Sequence, residues 1–122
     1  MPVRGLTIIV AGRDPDRLRS ALGMAATQAA LGGKARLFLD GRAVVLLAAP
    51  LAAPGDDEHR AAGLPTLADL IDTALALGVR ITLCQSGLAL AGLPPERIDE
   101  RFDFGGMAGV LATLDDDHLI AL

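Results

Sequence analysis

The pentapeptide Leu6-Thr7-Ile8-Ile9-Val10 is apolar along nearly its whole length and rich in β-branched residues. A strand with one wet face alternates polar and apolar side chains. A run without that alternation suits a strand buried on both faces, as in a parallel sheet covered by helices. The second and third strands are read at residues 35–39 and 79–84. Helical spacing fills the stretches between them. Asp14-Pro15 offers an N-cap and a proline for the first turn, where its missing N–H costs nothing. Leu18, Leu22, Ala25, Ala26 and Ala29 follow at helical intervals until Gly32-Gly33 stops the helix. Thr66-Leu67-Ala68-Asp69 has the pattern of a capping box, with Asp in place of Glu or Gln. It opens a second apolar stripe of Leu67, Leu70, Ile71, Ala74, Leu75 and Leu77, which ends at Gly78.

Strands alternating with helices build parallel βαβ units with right-handed crossovers. The expected fold is therefore α/β: a three-layer α/β/α sandwich with an open, mainly parallel sheet of about five strands. The remaining strands are expected at 102–104 and 118–122. Short helices are expected at 42–47 (a strand is the alternative there), from Ser86 or Gly87 to Gly92, and at 107–114. Residues 48–63 read as irregular, with Pro50, Pro54, Gly55 and the polar block from Asp56 to Arg60. So long a connection reads as a functional flap, flexible from about 48 to 65. The whole chain, 1–122, reads as one domain.

Composition narrows the functions. Hydrophobic residues make up 52% and charged residues 21%, a globular balance. Three Phe are the only aromatics and the net charge is −4, so base-stacking platforms and basic patches are missing and nucleic acid is not an expected partner. The longest apolar run, 43–49, is far below the roughly 20 residues of a membrane span. With no leader pattern at the start, a cytoplasmic location is expected. One Cys and two His make neither an internal disulfide nor a metal site of ordinary ligand count, and no cofactor is expected.

Ligands of open parallel sheets bind beyond the carboxyl ends of the strands. Cys84 ends the third strand and is the one residue suited to nucleophilic chemistry. A helix begins just after it, in the turn Gln85-Ser86-Gly87, and the N–H groups of that turn would favour thiolate over thiol. The plain alternative is a packed cysteine, since free Cys is among the most buried residue types. Gly105-Gly106 before the last helix is a candidate anion nest, although such pairs also serve as tight turns. Gly12 follows the first strand, where phosphate-binding turns sit, but neither phosphate-loop pattern is present. His59 reads as a solvated residue of the flexible connection. His118 opens the last strand, on the sheet edge opposite Cys84, out of reach for a Cys–His pair. Asp115, Asp116 and Asp117 read as a solvated loop.

The segment Val79-Arg80-Ile81-Thr82-Leu83-Cys84-Gln85-Ser86-Gly87, then Gly92-Leu93, then Phe102-Asp103-Phe104-Gly105-Gly106-Met107-Ala108, resembles the DsrE/DsrF-like family, which includes TusD-type sulfur-relay proteins. The second strand, Lys34 to Asp40-Gly41, with the run to Leu47, matches as well, so the resemblance spans nearly the whole chain. It implies an α/β sandwich, oligomers, and a cysteine at the Cys84 position that carries sulfur as a persulfide in active members. Two readings follow. In the first the chain is a sulfurtransferase-type sulfur carrier with Cys84 as acceptor, Gln85, Ser86, Gly87, Gly105, Gly106 and Gly12 around the binding region, and donor and acceptor proteins as partners. In the second it is a non-catalytic oligomeric binding module with a structural cysteine. A third, weaker option is a small-ligand pocket beneath the 48–63 connection. A homo-oligomer, dimer or trimer, is expected in the first two.

Overall fold

The computed structural model describes residues 3–122. Five parallel strands, β1 (Leu6–Val10), β2 (Ala35–Leu39), β3 (Arg80–Cys84), β4 (Asp103–Gly105) and β5 (His118–Ala121), form one open sheet in the order β4-β3-β2-β1-β5. Five helices accompany them: α1 (Pro15–Ala30), α2 (Asp56–Ala61), α3 (Leu67–Ala76), α4 (Gln85–Ala91) and α5 (Met107–Ala112). A 3-10 segment, Gly41–Leu47, follows β2, and a 3-10 turn, Pro95–Arg97, follows α4. The three-layer α/β/α arrangement expected from the sequence is present, and every strand pair is parallel.

The register explains why one face of the central strands is wholly apolar. Ile8 pairs with Leu37 and Leu37 with Ile81; Val10 pairs with Leu39 and Leu39 with Leu83. These side chains share one face and all are fully buried, together with Leu18, Leu22 and Ala25 of α1 and Ile71 and Ala74 of α3. The opposite face carries Thr7, Ile9, Arg36, Phe38, Thr82 and, at the end of β3, Cys84. Its cover includes α5, tied by Arg36, which donates from Nη2 to the Val110 carbonyl and from Nη1 to Thr113 Oγ1. Arg36 Nε also donates to Thr7 Oγ1, and Thr7 donates to Asp117 Oδ2. Thr7 is a buried hydroxyl with both its bonds made, as burial requires. Asp117 is thus a bonded member of this network, whereas Asp115 and Asp116 are exposed as expected.

Helix starts follow their signals. The Asp14 carboxylate accepts the Asp16 N–H ahead of Pro15, and Thr66 with Asp69 closes a full capping box. Some boundaries differ. Strand β4 is Asp103–Gly105, not 102–104: Phe102 is buried before the strand and Phe104 is 46% exposed on it. The last helix ends at Ala112, and α4 begins at Gln85.

The connection from β2 to α3 departs most from expectation. Residues 48–63 are not irregular throughout, because α2 forms at Asp56–Ala61. It has no buried residue and owes its place to Asp56. One Asp56 oxygen accepts Arg19 Nη2 at 2.7 Å and the Leu67 N–H at 3.0 Å; the other accepts the Ala53 N–H at 2.9 Å. The two backbone bonds and then Arg19 hold the Asp56 carboxyl below its ordinary range. Arg19, only 7% exposed, also donates to the Pro54 carbonyl. An ion pair this dry links α1, the connection and the start of α3.

Candidate functional site

Cys84 is the last residue of β3 and the N-cap of α4. Its sulfur accepts the Gly87 N–H at 3.4 Å, so the thiol satisfies one of the donors a helix start leaves open. Gln85 and Ser86 are exposed, while Cys84 itself is 8% exposed and Gly87 is buried. Leu83 and Ile81 point into the core, which by alternation turns Cys84 toward the other face with Thr82.

Gly105 is the register partner of Cys84 on β4, and Gly106 caps α5 without a side chain. The structure therefore brings Gln85, Ser86, Gly87 and Gly105 to the neighbourhood of Cys84, with Gly106 one residue beyond. Gly12 lies elsewhere. It follows β1 with φ of +78°, and β2 stands between β1 and β3. The connection from β1 runs toward β2, whereas β5 on the other side is entered from the far edge, so Gly12 sits near the topological switch of the sheet.

Sequence reasoning missed Gly41. Its carbonyl oxygen packs so closely on the Cα of Gly87 that a Cβ there would collide with it. Beyond Gly41, the 3-10 segment buries Ala43, Val44 and Leu47. The chain then crosses the segment that follows α4. Ala48 and Ile98 form an antiparallel bridge, the Ala49 N–H donates to the Arg97 carbonyl, and Arg97 Nη2 donates to the Ala49 carbonyl at 2.7 Å. Two connections, one after β2 and one after β3, are thus braced against each other at the carboxyl end of the sheet. The glycine at 41 was visible only as part of an Asp-Gly turn; nothing local announces a contact with a residue so distant in the chain.

A separate hollow of about 600 Å³ opens between the start of α1 and α2, lined by residues that include Asp16, Arg19, Ser20, Glu58 and His59. It lies where the sequence suggested a pocket under the connection. His59 Nδ1 is 2.8 Å from the Gly55 carbonyl, so the ring donates there from α2 itself. Cys84 is not among the lining residues, and His59 is not a partner for the thiol. His118 pairs with Leu6 at the amino end of β1, the edge away from Cys84. No helix among the described residues is long and apolar enough to cross a membrane.

No protein-family description and no curated protein matches the chain. Solved structures do. The YchN protein of E. coli superposes with a TM-score of 0.74 at 17% identity over 98% of this chain and 100% of that one. MTH1491 of Methanobacterium thermoautotrophicum, described as of unknown function, gives 0.73 at 12% identity over 98% and 100%. BT1422 of Bacteroides thetaiotaomicron, also described as of unknown function, gives 0.69 at 18% identity over 97% and 94%. At such identities the agreement is one of fold, and it extends over nearly the full length of all four chains.

Proposed function

We propose that this chain is a DsrE-like sulfur carrier in which Cys84 holds a persulfide, and that it works as a homo-oligomer. The observation that supports this most is the placement of the Cys84 sulfur at the carboxyl end of a parallel strand, with a backbone N–H directed at it. Such a donor favours the charged form of a thiol. The Cys84 thiolate attacks the outer sulfur of a donor persulfide, R–S–SH. A new S–S bond forms at Cys84, the old S–S bond breaks, and R–S⁻ leaves with the electron pair. An outside thiolate removes the sulfur by the same exchange, since one cysteine cannot release it through an internal disulfide. Gln85 and Ser86, both exposed, line the approach.

The low exposure of Cys84, 8%, favours the second reading, a binding module in which the sulfur only caps α4. Mass spectrometry after incubation with a small persulfide separates the two. A carrier gains about 32 Da, one sulfur atom, on Cys84, reversed by added thiol and absent in Cys84→Ser. A native protein that stays unmodified while its unfolded form reacts is a binding module.

A further inference from the structure

We infer that the hollow between the start of α1 and α2 is a binding site for a small organic cation, a primary amine that also carries a hydrogen-bonding oxygen. Cys84 does not line this hollow, so such a site is independent of any sulfur chemistry at the thiol. Its volume of about 600 Å³ is that of a small-molecule site. Its place suits one as well. Helix α1 leaves the carboxyl end of β1, and α2 lies ahead of α3 on the same edge, where ligands of open parallel sheets bind. The observation that points to a ligand is Arg19. It lines the hollow, only 7% of it is exposed, and its Nε–H is the one buried side-chain polar atom without a partner among the described residues. Its other nitrogens are bonded, Nη1 to the Pro54 carbonyl and Nη2 to Asp56. A buried N–H without an acceptor is costly, and native proteins seldom leave one. An oxygen on a bound molecule is the acceptor that Nε lacks. Nε is closed to solvent as it stands, but α2 buries no residue, so a small shift of that helix admits the oxygen.

The charge of the ligand follows from the rest of the lining. Arg19 is neutralised by Asp56 at 2.7 Å. That leaves Asp16 on α1 and Glu58 on α2, both exposed, with no second Lys or Arg in the lining. His59 donates from Nδ1 to the Gly55 carbonyl, and the neutral ring then presents Nε2 as a further acceptor. With carboxylates on both helices, an ammonium group is attracted and an anion repelled. Pro15, Pro54 and Leu64 give a short alkyl chain an apolar wall. A bare metal ion does not fit, because no three acidic, His or Cys side chains among the described residues are grouped as its ligands would be.

The test uses three probes of one chain length, each with its two groups at opposite ends: aminopentanol, pentanediol and hydroxypentanoate. They are a cation, a neutral molecule and an anion, and all three offer an oxygen. Each is titrated into the isotope-labelled full chain while the Arg19 Nε–H resonance is followed by NMR. Aminopentanol is expected to shift that resonance saturably, with half-saturation on the order of millimolar. The diol should bind at least about threefold more weakly, and hydroxypentanoate more weakly again. Glu58→Gln is expected to weaken aminopentanol about threefold, and Asp16→Asn with Glu58→Gln to bring it to the level of the diol. Both positions are exposed, and circular dichroism checks that the variants fold. An Arg19 Nε–H that aminopentanol leaves unmoved, an order led by hydroxypentanoate, or parent affinity in the double variant overturns the inference. Should the double variant not fold, Glu58→Gln and the probe order decide it. Persulfide uptake at Cys84 is scored separately, and its result bears on the sulfur-carrier reading alone.

Discussion

Cys84 does two jobs whatever its chemistry: it ends a strand and caps a helix. Losing a capping side chain costs a helix about 1 kcal/mol, and a mostly buried thiol adds packing. Cys84→Ala is expected to lose about 1–2 kcal/mol in urea unfolding. Cys84→Ser, whose hydroxyl accepts an N–H more strongly, should recover at least half of that while being unable to hold sulfur. Equal stability of parent and Cys84→Ala would mean that the Gly87 N–H to sulfur bond contributes nothing. The cysteine and its flanking turn were legible because strand end, small polar residues and helix start are consecutive in sequence. Gly41 was not, since a carbonyl against a distant Cα is a tertiary contact between backbones and leaves no side-chain pattern. The flanking glycines divided the same way: Gly105 joined Cys84 through strand register, and Gly12 stayed two strands away.

The elements that could be read from sequence are those whose own burial marks them. Strands β1, β2 and β3 each turn an apolar set into the core, Ile8 and Val10, Leu37 and Leu39, Ile81 and Leu83; α1 and α3 each bury a stripe and carry a capping signal. Helix α2 escaped because it buries nothing; its position rests on polar bonds to Asp56, which no hydrophobic period encodes. Phe102-Asp103-Phe104 misled by alternating as a strand does, while its buried Phe102 packs ahead of β4. The role of Asp56 is testable. Removing one member of a mostly buried ion pair leaves the other poorly compensated; Arg19, at 7% exposure, would keep only the Pro54 carbonyl and the exposed Asp16 carboxylate at 3.4 Å, a cost of up to about 3 kcal/mol. The Asp56 carboxyl is depressed in the folded protein, so its stabilisation is fully present above the unfolded carboxyl range near about 4 and is lost as pH falls through the folded value. Asp56→Asn should therefore unfold at lower urea than the parent at pH 7, and the gap should narrow below about pH 4. A gap independent of pH would assign the loss to the amide's poorer fit and not to charge. Trypsin should also cleave faster after the exposed Arg60 in Asp56→Asn, because α2 then lacks its tether; unchanged cleavage there would show that other contacts hold the connection.

The molecule as a whole leaves one element out of balance. All six residues of α5, Met107 to Ala112, are uncharged and apolar or glycine, yet only Val110 is buried. A helix apolar on every side ordinarily lies inside a protein. Leu111 on α5 is 51% exposed, and Leu119 on the edge strand β5 is 45% exposed. Leu119 pairs with Thr7, which puts it on the sheet face that α5 covers. A second copy of this chain suits such a surface: across a two-fold axis α5 meets its own equivalent, and neither copy has to desolvate a charge on that helix. Two leucines and a few small residues fall short of the roughly 800 Å² per partner in a standard interface, so α5 would form its centre and polar neighbours its rim. A homo-oligomer by light scattering at tens of micromolar is the expected result, with Leu111→Glu shifting the mass toward the monomer by placing a carboxylate at that centre. Leu111 lies outside the core, so the variant should unfold at the parent's urea midpoint once both are dilute enough to be monomeric. A parent that is monomeric at the higher concentration would leave α5 solvated. An oligomer unaffected by Leu111→Glu would move the interface to another face, with Leu31 and Leu90 as the most exposed large apolar residues left to carry it.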